Sequence, residues 1–249
     1  MTEPSPRAAS PGVVTSLDPG PLAHVEAWIF DLDNTLYPAS CRLFDQVDRL
    51  IGRYIAERFA LDPVAARALQ KRYFREYGTT LRGLMTEHDV DPHDFLAYVH
   101  AIDHSAVEEA PALDAALARL AGRKLVYTNG SKHHAERVMA RLGIGHHFED
   151  VFDIAAAGFV PKPEIASYRA LLERYAIAPS GAAMVDDIPR NLEPAAALGM
   201  TTVWLMTDTE YGATGAAGPH IHHQAADLVH FLERVLAARA APGGTPPRG

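Results

Sequence analysis

Four short apolar runs punctuate the chain of 249 residues: Ala27-Trp28-Ile29-Phe30, Lys124-Leu125-Val126-Tyr127-Thr128, Ala182-Ala183-Met184-Val185 and residues 201–205. Each is too short for a helix, and the later ones alternate with helical apolar spacing at 112–120, 131–142, 164–175 and 189–198. A continuous apolar run is what a parallel strand buried on both faces requires. A weaker strand is expected at 151–154 and a last helix at 224–236. Strand and helix in alternation predict an α/β fold, a doubly wound parallel sheet with helices on both faces.

The alternation is interrupted immediately after the first run. From Ser40 to Glu109 the pattern is helical and contains no convincing strand. Asp62-Pro63 and Asp91-Pro92 are helix starts, an N-cap followed by proline in the first turn. The first of these helices should end at Gly78, and Phe95, Leu96, Val99 and Ile102 follow the second at helical spacing. The expected organisation is an α/β core at 24–37 and 110–239, a helical insert at 38–109 covering the strand ends, and flexible tails at 1–23 and 240–249, rich in Pro and Gly.

Composition excludes several classes. With 48% hydrophobic and 22% charged residues the chain is an ordinary globular one. Its net charge of -8 offers no basic stripe for nucleic acid, so a phosphorylated ligand must be drawn by a local cation. The single cysteine, Cys41, rules out an internal disulfide and suits the cytoplasm. No apolar stretch reaches membrane-spanning length, no secretion signal is expected at the start, and no membrane partner is expected. The oligomeric state is not legible.

The apolar runs end in chemically useful residues. Asp31 and Asp33 close the first, where open α/β sheets bind ligands, although such aspartates also cap helices and turns. With a period of two they face the same way if the chain stays extended, so one can attack while the other handles protons. Thr128-Asn129-Gly130 before Ser131 makes either an anion cradle or a plain capping sequence. Lys162, between Pro161 and Pro163, projects from a stiff segment. Asp186 and Asp187 end the third run; strand alternation sends neighbours to opposite faces, so only one is expected in the cleft unless the chain turns. Carboxylates about 4 Å apart repel by roughly 4 kcal/mol at an effective dielectric near 20, so the cluster needs a proton or a hard cation, Mg²⁺ before Zn²⁺ or Ca²⁺. His133-His134, His146-His147, His220, His222 and His223 lack zinc-ligand spacing and are read as surface or packing residues.

Together, Asp31-Leu32-Asp33-Asn34-Thr35, Thr128, Lys162 and Asp186-Asp187 resemble, in order, the motifs of the haloacid dehalogenase superfamily, over residues 25–205. The resemblance implies a Rossmann-like core with an inserted all-helical C1-type cap. Within the superfamily the chain is most similar to the pyrimidine 5′-nucleotidase group, through Asp33-Asn34-Thr35-Leu36-Tyr37, Tyr77-Gly78, Arg82-Gly83-Leu84, Thr128-Asn129 with Lys132 and His134, and Val160-Pro161-Lys162-Pro163. It implies Asp31 as nucleophile and Asp33 as general acid and base. Mg²⁺ would be held by Asp31, the Asp33 carbonyl, Asp186 and Asp187. Thr128, Asn129, Gly130 and Lys162 would bind phosphate, Thr35 and Asn191 would support the loops, and Tyr77 and Arg82 would select the substrate from the cap. Dehalogenases lack the second aspartate, so Asp33 favours phosphate ester hydrolysis. The implied activity is a Mg²⁺-dependent phosphomonoesterase acting on a small phosphorylated metabolite, a nucleoside monophosphate of UMP or CMP type. The alternatives are a sugar phosphate, nicotinamide mononucleotide or pyridoxal phosphate as substrate, or a binding module without turnover.

Overall fold

The computed structural model describes residues 22–209, 212, 215 and 217–240; of the tails expected at 1–23 and 240–249, residues 1–21 and 241–249 lie outside the described residues, while Leu22 is buried in the core and Ala240 ends the last helix. Six strands form one parallel sheet: β1 (Ala27–Phe30), β2 (Arg123–Tyr127), β3 (Asp150–Phe152), β4 (Ala182–Asp186), β5 (Thr201–Leu205) and β6 (His223–Ala225). Their order is β3-β2-β1-β4-β5-β6. The doubly wound reading therefore holds. Strand order reverses between β1 and β4, the topological switch point at which such sheets bind ligands.

Alternation along each strand sends residues to two apolar layers. Trp28, Phe30, Val126, Val185 and Val203 face one layer, and Ile29, Leu125, Tyr127, Met184 and Trp204 the other. The helices α5 (Pro111–Arg119), α6 (Lys132–Leu142), α7 (Ile165–Arg174), α8 (Pro189–Ala197) and α9 (Leu228–Ala240) cover the sheet. The terminal region differs from expectation: Gln224 lies in β6, and the last helix begins four residues later than predicted. The cause is local. Asp227 Oδ1 accepts the His230 amide at 2.7 Å, capping the helix there, while main-chain pairing of 223–225 with β5 builds a strand without an apolar run.

Between β1 and β2 stand four helices, α1 (Leu43–Phe59), α2 (Pro63–Tyr77), α3 (Thr80–His88) and α4 (Pro92–Val99). Asp62 caps α2 by accepting from the Val64 and Ala65 amides, and Asp91 caps α4 through His93 and Asp94. One glycine, Gly83, lets two of these helices close up. A Cβ on Gly83 would lie 2.4 Å from Tyr73 Cγ, so α2 and α3 meet only because that side chain is missing. Gly78, at φ +82°, ends α2, and a Cβ there would lie 3.5 Å from the Lys162 carbonyl. The insert shares one apolar cluster with the sheet: Leu43, Val47, Tyr73 and Phe95 are continuous with Phe30 and Val185. Among the described residues no helix is long and apolar enough to cross a membrane.

Candidate active site

Register brings the acids together. Phe30 is paired with Val126 on one side and Val185 on the other, so Asp31 leaves β1 level with the ends of β2 and β4. Its amide donates to the Val185 carbonyl at 2.8 Å. Carboxylate oxygens of Asp31, Asp186 and Asp187, all buried, lie within 4.8 Å of one another. Strand alternation alone allowed only one of the pair into the cleft; both join the acid cluster, and Asp187 is the one that lines the cavity. The chain turns at the end of β4, where Asp186 Oδ1 accepts the Ile188 amide at 2.9 Å, and Asp187 no longer follows the pleat.

One cation stands among these acids. Lys162 Nζ donates to Asp31 Oδ1 at 2.6 Å, to Asp186 Oδ2 at 2.7 Å and to the Tyr127 carbonyl at 3.0 Å. Burial alone would lower its pKa, but the two carboxylates outweigh burial and raise it. One ammonium does not balance three carboxylates. Burial, resisted by Lys162 and reinforced by Asp186 and Asp33, pushes the Asp31 carboxyl up to about 7. Burial and the neighbouring acids raise Asp187 well above the carboxylate range. Such an excess of buried negative charge on oxygen donors fits a hard divalent cation. The two late aspartates differ in what they have left to offer. Asp186 already accepts from Lys162, Ile188 and Asn191 Nδ2 at 3.0 and 3.2 Å, while Asp187 lines the cavity.

That cavity, of about 350 Å³, is bounded at its floor by Asp31, Asp33, Thr128, Asn129, Gly130 and Lys162. Thr128 Oγ1 accepts the Gly130 amide at 2.9 Å. The Asn129 side chain staples the lysine loop, its Oδ1 taking the Lys162 amide at 2.8 Å and its Nδ2 reaching the Lys162 carbonyl at 3.2 Å. Asn191 is itself tied down, its carbonyl accepting from Tyr168 Oη at 2.5 Å. Thr35 is buried, and its hydroxyl has no hydrogen-bond partner among the described residues. The insert forms the roof with Phe44, Ile51, Phe95 and Leu96 beside the ion pair of Asp48 and Arg67. Tyr77 and Arg82 are not among the lining residues: Tyr77 Oη donates to Glu87 at 2.8 Å, and Arg82 sits in α3, its amide bonded to Thr79 Oγ1.

Asp33 has partners that the sequence reading left out. Its Oδ1 accepts from Tyr37 Oη at 2.6 Å and lies 3.0 Å from His134 Nε2. His134 is fully buried, which removes the surface alternative and leaves the packing one, with a nitrogen on Asp33 that the reading did not foresee. The His100 ring stacks on it at 4.5 Å and 6°, and His104 Nε2 lies 3.3 Å from its Nδ1. The Ile102 carbonyl can only accept, so His104 donates from Nδ1 and accepts at Nε2. His134 presents Nδ1 to His104 and Nε2 to Asp33, so both of its ring nitrogens have partners. Burial would raise the Asp33 carboxyl; His134 and the Tyr37 hydroxyl outweigh it and hold it below the usual range. Burial, with the neighbouring His134, pushes His100 down to about 3. The available signal was the helical position of His134, three residues past the cap Ser131, but nothing local tied it to Asp33. His146 and His147 face Asp114 away from the cavity, at 3.3 and 2.7 Å.

Residues 25–199 match the family of haloacid dehalogenase-like hydrolases. Phosphate metabolism protein 8 of Saccharomyces cerevisiae is 28% identical over 217 residues, 78% of this chain; the match spans 65% of the yeast protein, just under two thirds of its length. Among solved structures, the HAD-hydrolase YfnB of Bacillus subtilis, determined with magnesium bound, aligns with a TM-score of 0.56 at 15% identity, covering 85% of this chain and 98% of that one. The L-2-haloacid dehalogenase PA0810 aligns with a TM-score of 0.53 at 18% identity, covering 87% and 100%. At these identities the likeness is one of fold.

Proposed function

The chain belongs to the haloacid dehalogenase-like hydrolase family, and from that premise we propose that it is a phosphomonoester hydrolase of pyrimidine 5′-nucleotidase type, working through an aspartyl-phosphate. One observation carries the reading: a second acid, Asp33, stands beside Asp31 in the same cavity, held by Tyr37 and His134. Displacing a halide needs no proton donor; expelling an alkoxide does. In the first step an Asp31 oxygen bonds to phosphorus as the ester P–O bond breaks, and Asp33, ionised in the free protein and protonated from solvent as the anionic ester enters, gives that proton to the departing oxygen. In the second, Asp33 takes a proton from the water whose oxygen attacks phosphorus, and the Asp31–P bond breaks. Lys162 and Thr128 offer the phosphoryl oxygens a charge and a hydroxyl from the floor of the cavity. Asp31, Asp187 and the Asp33 carbonyl would hold Mg²⁺, which when bound neutralises charge on the phosphoryl oxygens, with Asp186 aligning Lys162 beside it.

The segment 38–109 serves in this reading as a cap that chooses the alcohol. A roof that sets apolar and aromatic side chains beside the ion pair of Asp48 and Arg67 suits a flat ring better than a bare sugar, which supports a nucleoside monophosphate. The name of the yeast relative, which links that protein to phosphate metabolism, is in keeping with this chemistry. A panel of phosphate esters assayed with and without Mg²⁺ tests the proposal. UMP and CMP should be hydrolysed with kcat/KM at least about tenfold above ribose 5-phosphate, a margin of roughly 1.4 kcal/mol in transition-state binding, and chelation should abolish turnover. Preference for ribose 5-phosphate, nicotinamide mononucleotide or pyridoxal phosphate would remove the pyrimidine assignment, and halide release from a haloacid would remove the phosphatase.

A further inference from the structure

We propose that His134 is a positioning residue for the acid of the site: it pins Asp33 Oδ1 in the interior so that protons pass to and from the substrate through Oδ2. The inference rests on the phosphatase reading and adds to it an atom and a partner. Asp33 lines the cavity, yet its Oδ1 faces two side chains that are themselves buried, Tyr37 and His134. Turning the carboxylate about its Cβ–Cγ bond would break both contacts at once. His134 cannot readily follow such a rotation, because the same imidazole is stacked on His100 and linked through Nδ1 to His104. His100 is fixed in turn by Ser131, whose Oγ lies 2.9 Å from its Nδ1. The fixing residues come from two parts of the chain. His100 and His104 belong to the return segment between α4 and α5, and Ser131 and His134 to the start of α6. A histidine that merely filled space would need neither a nitrogen on the acid nor a second on a bonded neighbour.

In the proposed step the Asp33 Oδ2–H bond breaks as its proton moves to the ester oxygen. The P–O bond to that oxygen breaks, and the electron pair of the Asp31 oxygen forms the new bond to phosphorus. A carboxylate free to rotate would offer this proton in the wrong direction for part of the time, and the loss would fall on leaving groups that need it.

Single-turnover rates of the Mg²⁺-loaded protein, measured with an alkyl phosphomonoester and with p-nitrophenyl phosphate, separate positioning from packing. Nitrophenolate departs without a proton, so a defect confined to the acid weighs far less on its release. In His134→Ala the alkyl ester should slow at least about tenfold more than the nitrophenyl ester. His134→Gln, whose side-chain amide can take the place of Nε2 beside Asp33 Oδ1, should recover most of that difference, with KM for both esters little changed. Equal slowing of the two esters, or none, would overturn the role. Tyr37→Phe removes the other Oδ1 partner without emptying the core; it should bias the two rates in the same direction, and keeps the proposal testable if His134→Ala fails to fold. If the unaltered protein cleaves neither ester, the phosphatase reading itself falls, and this is distinguishable from an indifferent His134.

Discussion

Lys162 is almost wholly buried, and three oxygens surround its ammonium group. A lysine between prolines in a sequence is ordinarily read as a stiff but solvated side chain; here it is the counter-charge of the acid cluster. Replacing it by methionine should destabilise the metal-free protein by about 3–5 kcal/mol, the usual cost of leaving buried partners uncompensated, as read from urea unfolding in chelator. The same cluster sets a pH dependence. Because the Asp31 carboxyl is raised from 3.8 to about 7, the folded protein holds more protons than the unfolded one across that interval. Metal-free stability should therefore fall as pH rises from about 4 to 7. Asp187, raised in the same sense, deepens the fall, whereas Asp33, held low, acts only below its ordinary range. Thermal melts of Asp31→Asn against the parent check the sign: the advantage of the variant should be absent near pH 4 and grow toward pH 7.

Elements were legible in proportion to how local their causes are. The helices α2 and α4 announce themselves through Asp-Pro because cap and first turn are adjacent in sequence. The helix α1 begins after Arg42, at φ 55° and without a side-chain cap, so nothing marks its start. The strand β6 exists only by pairing with β5, and three residues reading His-Gln-Ala carry no period. Asp31, Thr128 and Asp186 could be named because each closes a strand whose register is set by buried alternation. The histidine stack could not, since its members meet only after the insert returns to the core. Nor could the roof of the cavity, whose lining depends on how four helices pack. That packing has a weak point that can be tested. Gly83→Ala would drive a methyl into the Tyr73 ring, where the Cβ has 2.4 Å, and should lower stability by about 1–3 kcal/mol, seen as a lower melting temperature with an unchanged far-UV spectrum.

At the scale of the whole molecule, the switch point of the sheet, the excess of acids over cations there and the helical roof form one system. Since the insert and the sheet share an apolar cluster, charge balance at the floor should be felt in global stability. Added Mg²⁺ should raise the melting temperature by ligand linkage, by roughly 2.7 kcal/mol of stability at a hundred times its dissociation constant. The gain should be larger at pH 8 than at pH 5, where protons compete for Asp31 and Asp187. Asp187→Asn should weaken that response more than Asn191→Ala, because Asp187 faces the cavity while Asn191 only holds Asp186. The most direct test of the account is to quench a single turnover in acid and locate the phosphoryl group by peptide mass spectrometry. It should be found on Asp31, and more of it in Asp33→Asn, where hydrolysis of the intermediate lacks its base. A phosphoryl group on any other residue, or ester hydrolysis that persists in Asp31→Asn, would contradict it.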